Sequence, residues 1–218
     1  MIHLFALLSL LLCGVCYTGF QNSSHFHNTS NRRSLLLLVF GGALLLRLLL
    51  AYTTHGFSND IACFAAWADR IFTLGPGQFY SAEMFTDYPP GFMYVLYLIG
   101  ALRSLLQIPY YSDLHILLLK LPAILCDIAC GFLLYREAVK RLHFSDLQGI
   151  FAASAYLFQP AVILNSSCWG QVDSVYTLMI ILMCLFLMKG NLLPAYAVYG
   201  LGVLLKPQML IFTPVLLA

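Results

Sequence analysis

Long apolar runs divided by short polar stretches set the pattern of this chain. Residues 35–52 (LLLLVFGGALLLRLLLAY) are apolar at nearly every position, and about 20 such residues cross the hydrocarbon core of a bilayer as a helix. Further apolar runs cover 91–108, 114–135, 148–164, 175–188 and 192–205, and the chain stays apolar from 209 to Ala218. An earlier run, 2–20, lacks a basic lead and a small-residue cleavage site, so it reads as a membrane helix or uncleaved anchor. The polar stretch 21–34 reads as a loop. Residues 53–89 break the pattern as a long polar and aromatic loop. Within it, NDIACFAAWADRIF places Ile61, Phe64, Ala65, Ala68, Ile71 and Phe72 at helical spacing. One greasy face predicts a helix lying on the membrane surface, ended by Gly75-Pro76-Gly77. The expected fold is all-α, a polytopic transmembrane helical bundle whose long first external loop carries an amphipathic helix. The expected organisation is a hydrophobic segment and polar loop over 1–34, then a membrane module over 35–218 with its external loop at 53–113. The last apolar run has no closing loop, so the module reads as the N-terminal part of a longer protein.

Composition removes the competing classes. The chain is 61% hydrophobic and 9% charged, with a mean hydropathy of +0.85. A soluble domain carries about a quarter charged residues, so a water-soluble globule is excluded, and disorder is excluded by the hydrophobicity. A net charge of +2 is too small for a nucleic-acid partner. Cys13, Cys16, Cys126, Cys130 and Cys184 lie in apolar runs and read as small buried hydrophobes. His25 and His27 lack a third ligand and read as a surface loop.

The positions of the charges predict orientation. Arg32, Arg33, Arg136, Lys140, Arg141 and Lys189 mark the cytoplasmic side. If 35–52 runs outward, loop 53–89 is external while 136–146 is internal, so an odd number of crossings separates them. The run 114–135 then crosses, and 91–108, after Pro89-Pro90, does not cross fully. NSSCWGQVDS and Lys206-Pro207-Gln208 both emerge on the external side.

Ionisable groups in or beside membrane spans are costly and point to function by default. Asp60 opens the amphipathic helix beside Ser58 and Asn59, all N-cap types, and reads equally as cap and as catalyst. Asp69 and Arg70 read as the wet face of that helix. Asp87 precedes Tyr88-Pro89-Pro90-Gly91, where capping the next helix is as natural as chemistry. Lys120 needs an anion, such as a lipid-linked phosphate, or snorkels to the interface. Asp127 lies deeper in the same span, and a pair with Arg47 would neutralise both charges. Lys206 is the second candidate for phosphate. Trp169, Gln171 and Asp173 supply a ring and polar groups at one membrane boundary. Asp60, Asp69 and Asp87 are oxygen donors that Mg²⁺ or Mn²⁺ could use.

Asp60 followed by Trp67, then Asp87-Tyr88-Pro89-Pro90, then Lys120 with Asp127, then Trp169-Gly170-Gln171-Val172-Asp173-Ser174, then Lys206-Pro207-Gln208 occur in that order over residues 45–215. The series resembles the GT-C superfamily of membrane glycosyltransferases, which use polyprenyl-phosphate-linked sugars. The nearest likeness is to the dolichyl-phosphate-glucose-dependent glucosyltransferases, with weaker similarity to protein O-mannosyltransferases and bacterial lipid-linked sugar transferases. The family often has Arg where Lys120 stands, and Asp173 replaces an Asn of the eukaryotic relatives. The resemblance implies an inverting hexosyltransferase that moves a sugar from a polyprenyl- or dolichyl-phosphate donor to an acceptor hydroxyl of a glycan, lipid or protein on the external or lumenal face. It puts the base at Asp60, and the donor-binding groups at Lys120, Asp87, Tyr88, Trp169, Gln171, Asp173, Lys206 and Gln208. It implies a site without metal or other cofactor in a multi-pass integral membrane protein. The setting is a bacterial cell membrane, or the endoplasmic reticulum, where sequons at Asn22, Asn28 and Asn165 would matter. Two other classes fit parts of the pattern. A transporter or flippase would use Lys120 and Asp127 along its path, although no internal repeat accompanies them, and a non-catalytic membrane subunit needs no site at all.

Overall fold

The computed structural model describes residues 32–82 and 85–217, together with Leu11, Gly14, Tyr17 and Thr18. Apart from those four, the run 2–20 lies outside the described residues, as do Cys13, Cys16, His25, His27, Asn22 and Asn28. The runs of helix-forming Leu and Ala leave helix as the way to satisfy their backbone, and no strand occurs among the described residues. The principal helices are α1 (Arg32–Thr53), α2 (Ser58–Leu74), α3 (Pro90–Leu105), α4 (Asp113–Lys140), α5 (Asp146–Leu157), α6 (Asp173–Leu187) and α7 (Leu192–Leu205).

Two helices, α1 with 22 residues and α4 with 28, are long and apolar enough to cross a membrane. A third span exists only if α5 and the segment Pro160–Trp169, bent by 52°, count as one. Helices α3, α6 and α7 are apolar but shorter. Outward-facing apolar side chains are abundant, with Leu37 at 75%, Leu38 at 71% and Leu193 at 82% exposure. Such faces call for an apolar surrounding, and together with the two long helices they mark a membrane protein.

Tertiary contacts give the helix array two chemically distinct ends. At one end, Arg32 at the start of α1 pairs with Asp146 at the start of α5, 3.2 Å away. The Arg141 guanidinium, just past α4, donates to the Met188 carbonyl after α6 at 3.0 Å. At the other end, Thr54 after α1 meets Ser167, and Lys206 after α7 meets Asp173 at the start of α6. The basic residues predicted to be cytoplasmic therefore gather at one end and the polar motifs at the other. Helix α3 begins against Leu204 in the last turn of α7, where a Cβ on Gly91 would lie 2.5 Å from the Leu204 carbonyl oxygen. It ends in a loop leading to Asp113, whose carboxylate is 3.7 Å from His55, just past α1. Both ends of α3 thus lie at the polar end.

Four expectations are corrected. The amphipathic face of α2 is covered by protein: Ile61, Phe64, Ala65, Trp67, Ala68 and Ile71 are buried in one core with Phe92, Leu96 and Ile99 of α3 and Ile116 and Leu119 of α4. Asp69 and Arg70 are braces, with Asp69 paired to Arg103 and Arg70 donating to the Phe79 carbonyl at 3.0 Å. Helix α4 continues through 136–140, because Arg, Glu, Ala and Lys extend a helix readily. The run 148–164 breaks after Leu157, because Pro160 disfavours helical backbone at Gln159.

The predicted neutralisation of Asp127 is present. Arg47 Nε donates to Asp127 Oδ2 at 3.3 Å, both side chains are fully buried, and the Tyr156 hydroxyl donates to Oδ1 at 3.0 Å. Removing one member of a buried pair strands the other charge at a cost of about 3–5 kcal/mol. Asp127→Ala should therefore lower the unfolding midpoint sharply, and Arg47→Leu combined with Asp127→Leu should recover most of it in the same thermal assay. Membrane sidedness checks the two-ended arrangement. Lys140→Cys should add a maleimide adduct from the cytoplasmic side only, and Trp169→Cys from the opposite side only.

Candidate functional site

The site forms at the polar end, where the start of α2, the segment leading into α6 and the turn after α7 converge. Asp60 lies in the first turn of α2, whose N-cap is Phe57, with no capping side chain. Its carboxylate turns instead to residues 169–171. Trp169 Nε1 donates to Asp60 Oδ2 at 3.2 Å, and Gln171 Nε2 donates to the same oxygen. Oδ1 carries no hydrogen bond among the described residues. Asp87 does not cap α3 either: the N-cap is Pro89, without a side-chain bond.

The segment holding Trp169 and Gln171 is a π-helical turn, Leu164–Trp169, closed by Gly170 in the left-handed conformation. The N–H groups of Gly170 and Gln171 both donate to the Asn165 carbonyl, at 3.1 and 2.9 Å. Phe57 N–H donates to the Trp169 carbonyl at 2.9 Å. Gly56, with φ +79°, leaves room for this contact, because a Cβ there would lie 2.7 Å from that same carbonyl oxygen. At Gly170 a Cβ would meet Ile61 at 2.6 Å and Lys120 Cε at 3.3 Å. The Lys120 stem therefore runs directly beneath this turn.

Lys120 is fully buried and does not line the site. Its ammonium donates to the carbonyls of Ala51 at 3.1 Å and Thr54 at 2.6 Å, and to the Thr54 hydroxyl at 3.1 Å. Carbonyls at a helix C-terminus carry partial negative charge; two of them at the end of α1, with the Thr54 hydroxyl, use all three of its N–H donors. The expected phosphate role of Lys120 is corrected on this geometry, since neutral oxygen acceptors of the fold take up its ammonium away from the cavity.

Lys206 takes the other position. Its Nζ pairs with Asp173 Oδ1 and lies 5.8 Å from the Tyr88 ring and 5.7 Å from the Tyr176 ring. Asn165 Nδ2 donates to Asp173 Oδ2 at 2.9 Å. Asp173 is thus fixed from behind while holding the lysine, and one ammonium proton in three serves it. Tyr88 packs on Phe64, Trp67 and Phe92, with centroids 5.6, 5.8 and 5.5 Å away. Burial, then the charges of Asp173, Asp87 and Asp60, push its phenol pKa far up, so Tyr88 keeps its proton as a donor.

A cavity of about 420 Å³ opens between these groups, lined by Asp60, Asp87, Tyr88, Gln171, Lys206, Pro207 and Gln208. No protein-family model, no curated protein and no solved structure matches this chain. Six residues proposed from sequence line that cavity: Asp60, Asp87, Tyr88, Gln171, Lys206 and Gln208. Trp169 and Asp173 support it through Asp60 and Lys206, and Lys120 lies below it. Asp69 points to Arg103 rather than into it. Among the described residues no three His, Cys, Asp or Glu side chains gather around a metal position. Sequence reading missed Asn165, seen only as a sequon, and Thr54, whose position one residue past a helix end was the available signal.

These contacts separate the two lysines experimentally. Lys120→Met leaves three acceptors without their ammonium and should cost about 1–3 kcal/mol for a buried group so stranded, seen as a lower thermal midpoint. Lys206→Met, at the cavity edge, should move that midpoint much less.

Proposed function

We propose that the chain is a glycosyltransferase module of a multi-pass membrane protein, transferring a hexose from a polyprenyl-phosphate donor to an acceptor hydroxyl. The observation that carries this reading is the meeting of the Asp60 carboxylate and the Lys206 ammonium in one cavity at the polar end of apolar helices. The GT-C resemblance of the motif order supports it, now with Lys206 in place of Lys120 as the phosphate partner.

The chemistry follows from those two charges. The acceptor hydroxyl gives its proton to Asp60 as its oxygen bonds to the anomeric carbon. The bond from that carbon to the phosphate oxygen breaks, and its electron pair leaves with the phosphate. Attack opposite the leaving group inverts the anomeric centre. Lys206 meets the charge that grows on the phosphate with its remaining N–H groups, and Asp173 keeps it in place. Trp169 and Gln171 load Oδ2 of Asp60 and leave Oδ1 for the acceptor.

Release of polyprenyl phosphate from a synthetic polyprenyl-phosphate hexose, in membranes containing the full-length protein, tests the reading. Asp60→Asn should insert normally and lose about 10²–10⁴-fold in turnover. Lys206→Gln should weaken donor use by roughly 10²-fold. Near-normal turnover by Asp60→Asn would remove Asp60 as base and this mechanism with it.

A further inference from the structure

Another opening lies at the opposite end of the helix array and shares no residue with the donor cavity. It is a cavity of about 420 Å³ lined by Arg136, Glu137, Lys140, Arg141 and Lys189. Arg136, Glu137, Lys140 and Arg141 come from the last turns of α4 and the residue after it, at positions that share one helix face. Lys189 comes from the turn after α6, brought close by the bond from Arg141 to the Met188 carbonyl, 3.0 Å. Two chain segments far apart in sequence therefore deliver four cations and one carboxylate to one concavity.

Basic residues at helix C-termini have an ordinary use, which is to satisfy the last carbonyls. Among the described residues lining this cavity, only Arg141 is so used. Arg136 spends Nε and Nη2 on the Glu137 carboxylate, at 3.1 and 2.8 Å, which also accounts for the one acid. Lys140 and Lys189 are exposed, and their ammonium groups make no hydrogen bond or ion pair among the described residues. Two uncommitted ammoniums and the remaining N–H groups of two guanidiniums thus face a shared space. That space lies where apolar helices α4 and α6 end, at the depth of lipid headgroups if α4 crosses the bilayer. Basic pockets between helices at such a boundary suit anionic headgroups.

We propose that this cavity binds the phosphate of an anionic lipid headgroup. It is separate from the donor cavity, to which it contributes no residue. A soluble phosphate compound presents the same oxygens, so the test includes it.

Native mass spectrometry of the purified full chain in detergent, titrated with phosphatidylglycerol or phosphatidylcholine, reads the site. Phosphatidylglycerol should be retained at least 10-fold more tightly than phosphatidylcholine. Lys140→Gln with Lys189→Gln should weaken it by about 30-fold, while Arg33→Gln, a cation of the same end outside the cavity, should leave it unchanged. Glu137→Gln should tighten it by removing the carboxylate that lines the cavity. If millimolar inorganic phosphate fails to displace the lipid, the ligand is a lipid headgroup. Displacement at equal concentrations would assign the same cavity to a soluble phosphate and overturn the lipid assignment. Equal retention of the two lipids, or no loss in the double variant, would overturn the site altogether.

Discussion

An ammonium enclosed by apolar helices must find oxygen, and the placement of Lys120 meets that demand in a way that fixes the polar end. Its partners are the carbonyls that α1 leaves unpaired as it ends, Ala51 and Thr54. The same contact joins α4 to α1 and puts the lysine stem under Gly170. Thr54 hands the constraint on, since its hydroxyl lies 3.2 Å from the Ser167 carbonyl. The π-turn therefore rests on a charged floor. Trp169 and Gln171, carried on that turn, are what hold Asp60.

A second charge group works deeper between the helices. Arg47, Asp127 and Tyr156 bind α1, α4 and α5 to one another where no water is available. Helix α2 is held by shape as well as by its Asp69–Arg103 pair. Its small residues let α3 approach until a Cβ on Gly100 would lie 2.5 Å from the Ala68 carbonyl oxygen. Aromatic packing around Phe64 then carries Tyr88 to the cavity wall. Electrostatics at the helix ends and close packing in α2–α3 thus combine to aim side chains from three elements into one opening.

Much of this was legible along the chain. The range of α7 was read from the apolar run 192–205, because polar residues and Pro207 bound it on both sides. The buried face of α2 followed from spacing alone, although what covers it did not. The break after Leu157 was hidden, since Ala161 to Leu164 continue the apolar run and mask the meaning of Gln159-Pro160. Lys120 and Lys206 looked alike in sequence. Each is a cation in or beside an apolar run, and only the acceptors each meets in space distinguish the buried structural ammonium from the one that faces a cavity.

The order of residues by itself determined helices, their approximate limits, the apolar surroundings they require and the segregation of basic from polar motifs. Those properties depend on local spacing and on transfer of side chains from water. The Arg47–Asp127 pair was expected from the chain, but tertiary structure decided the other partners: Asp69 with Arg103, Lys206 with Asp173, and Lys120 with a helix terminus. Pairing of that kind is set by distance in space, over separations the chain pattern does not encode.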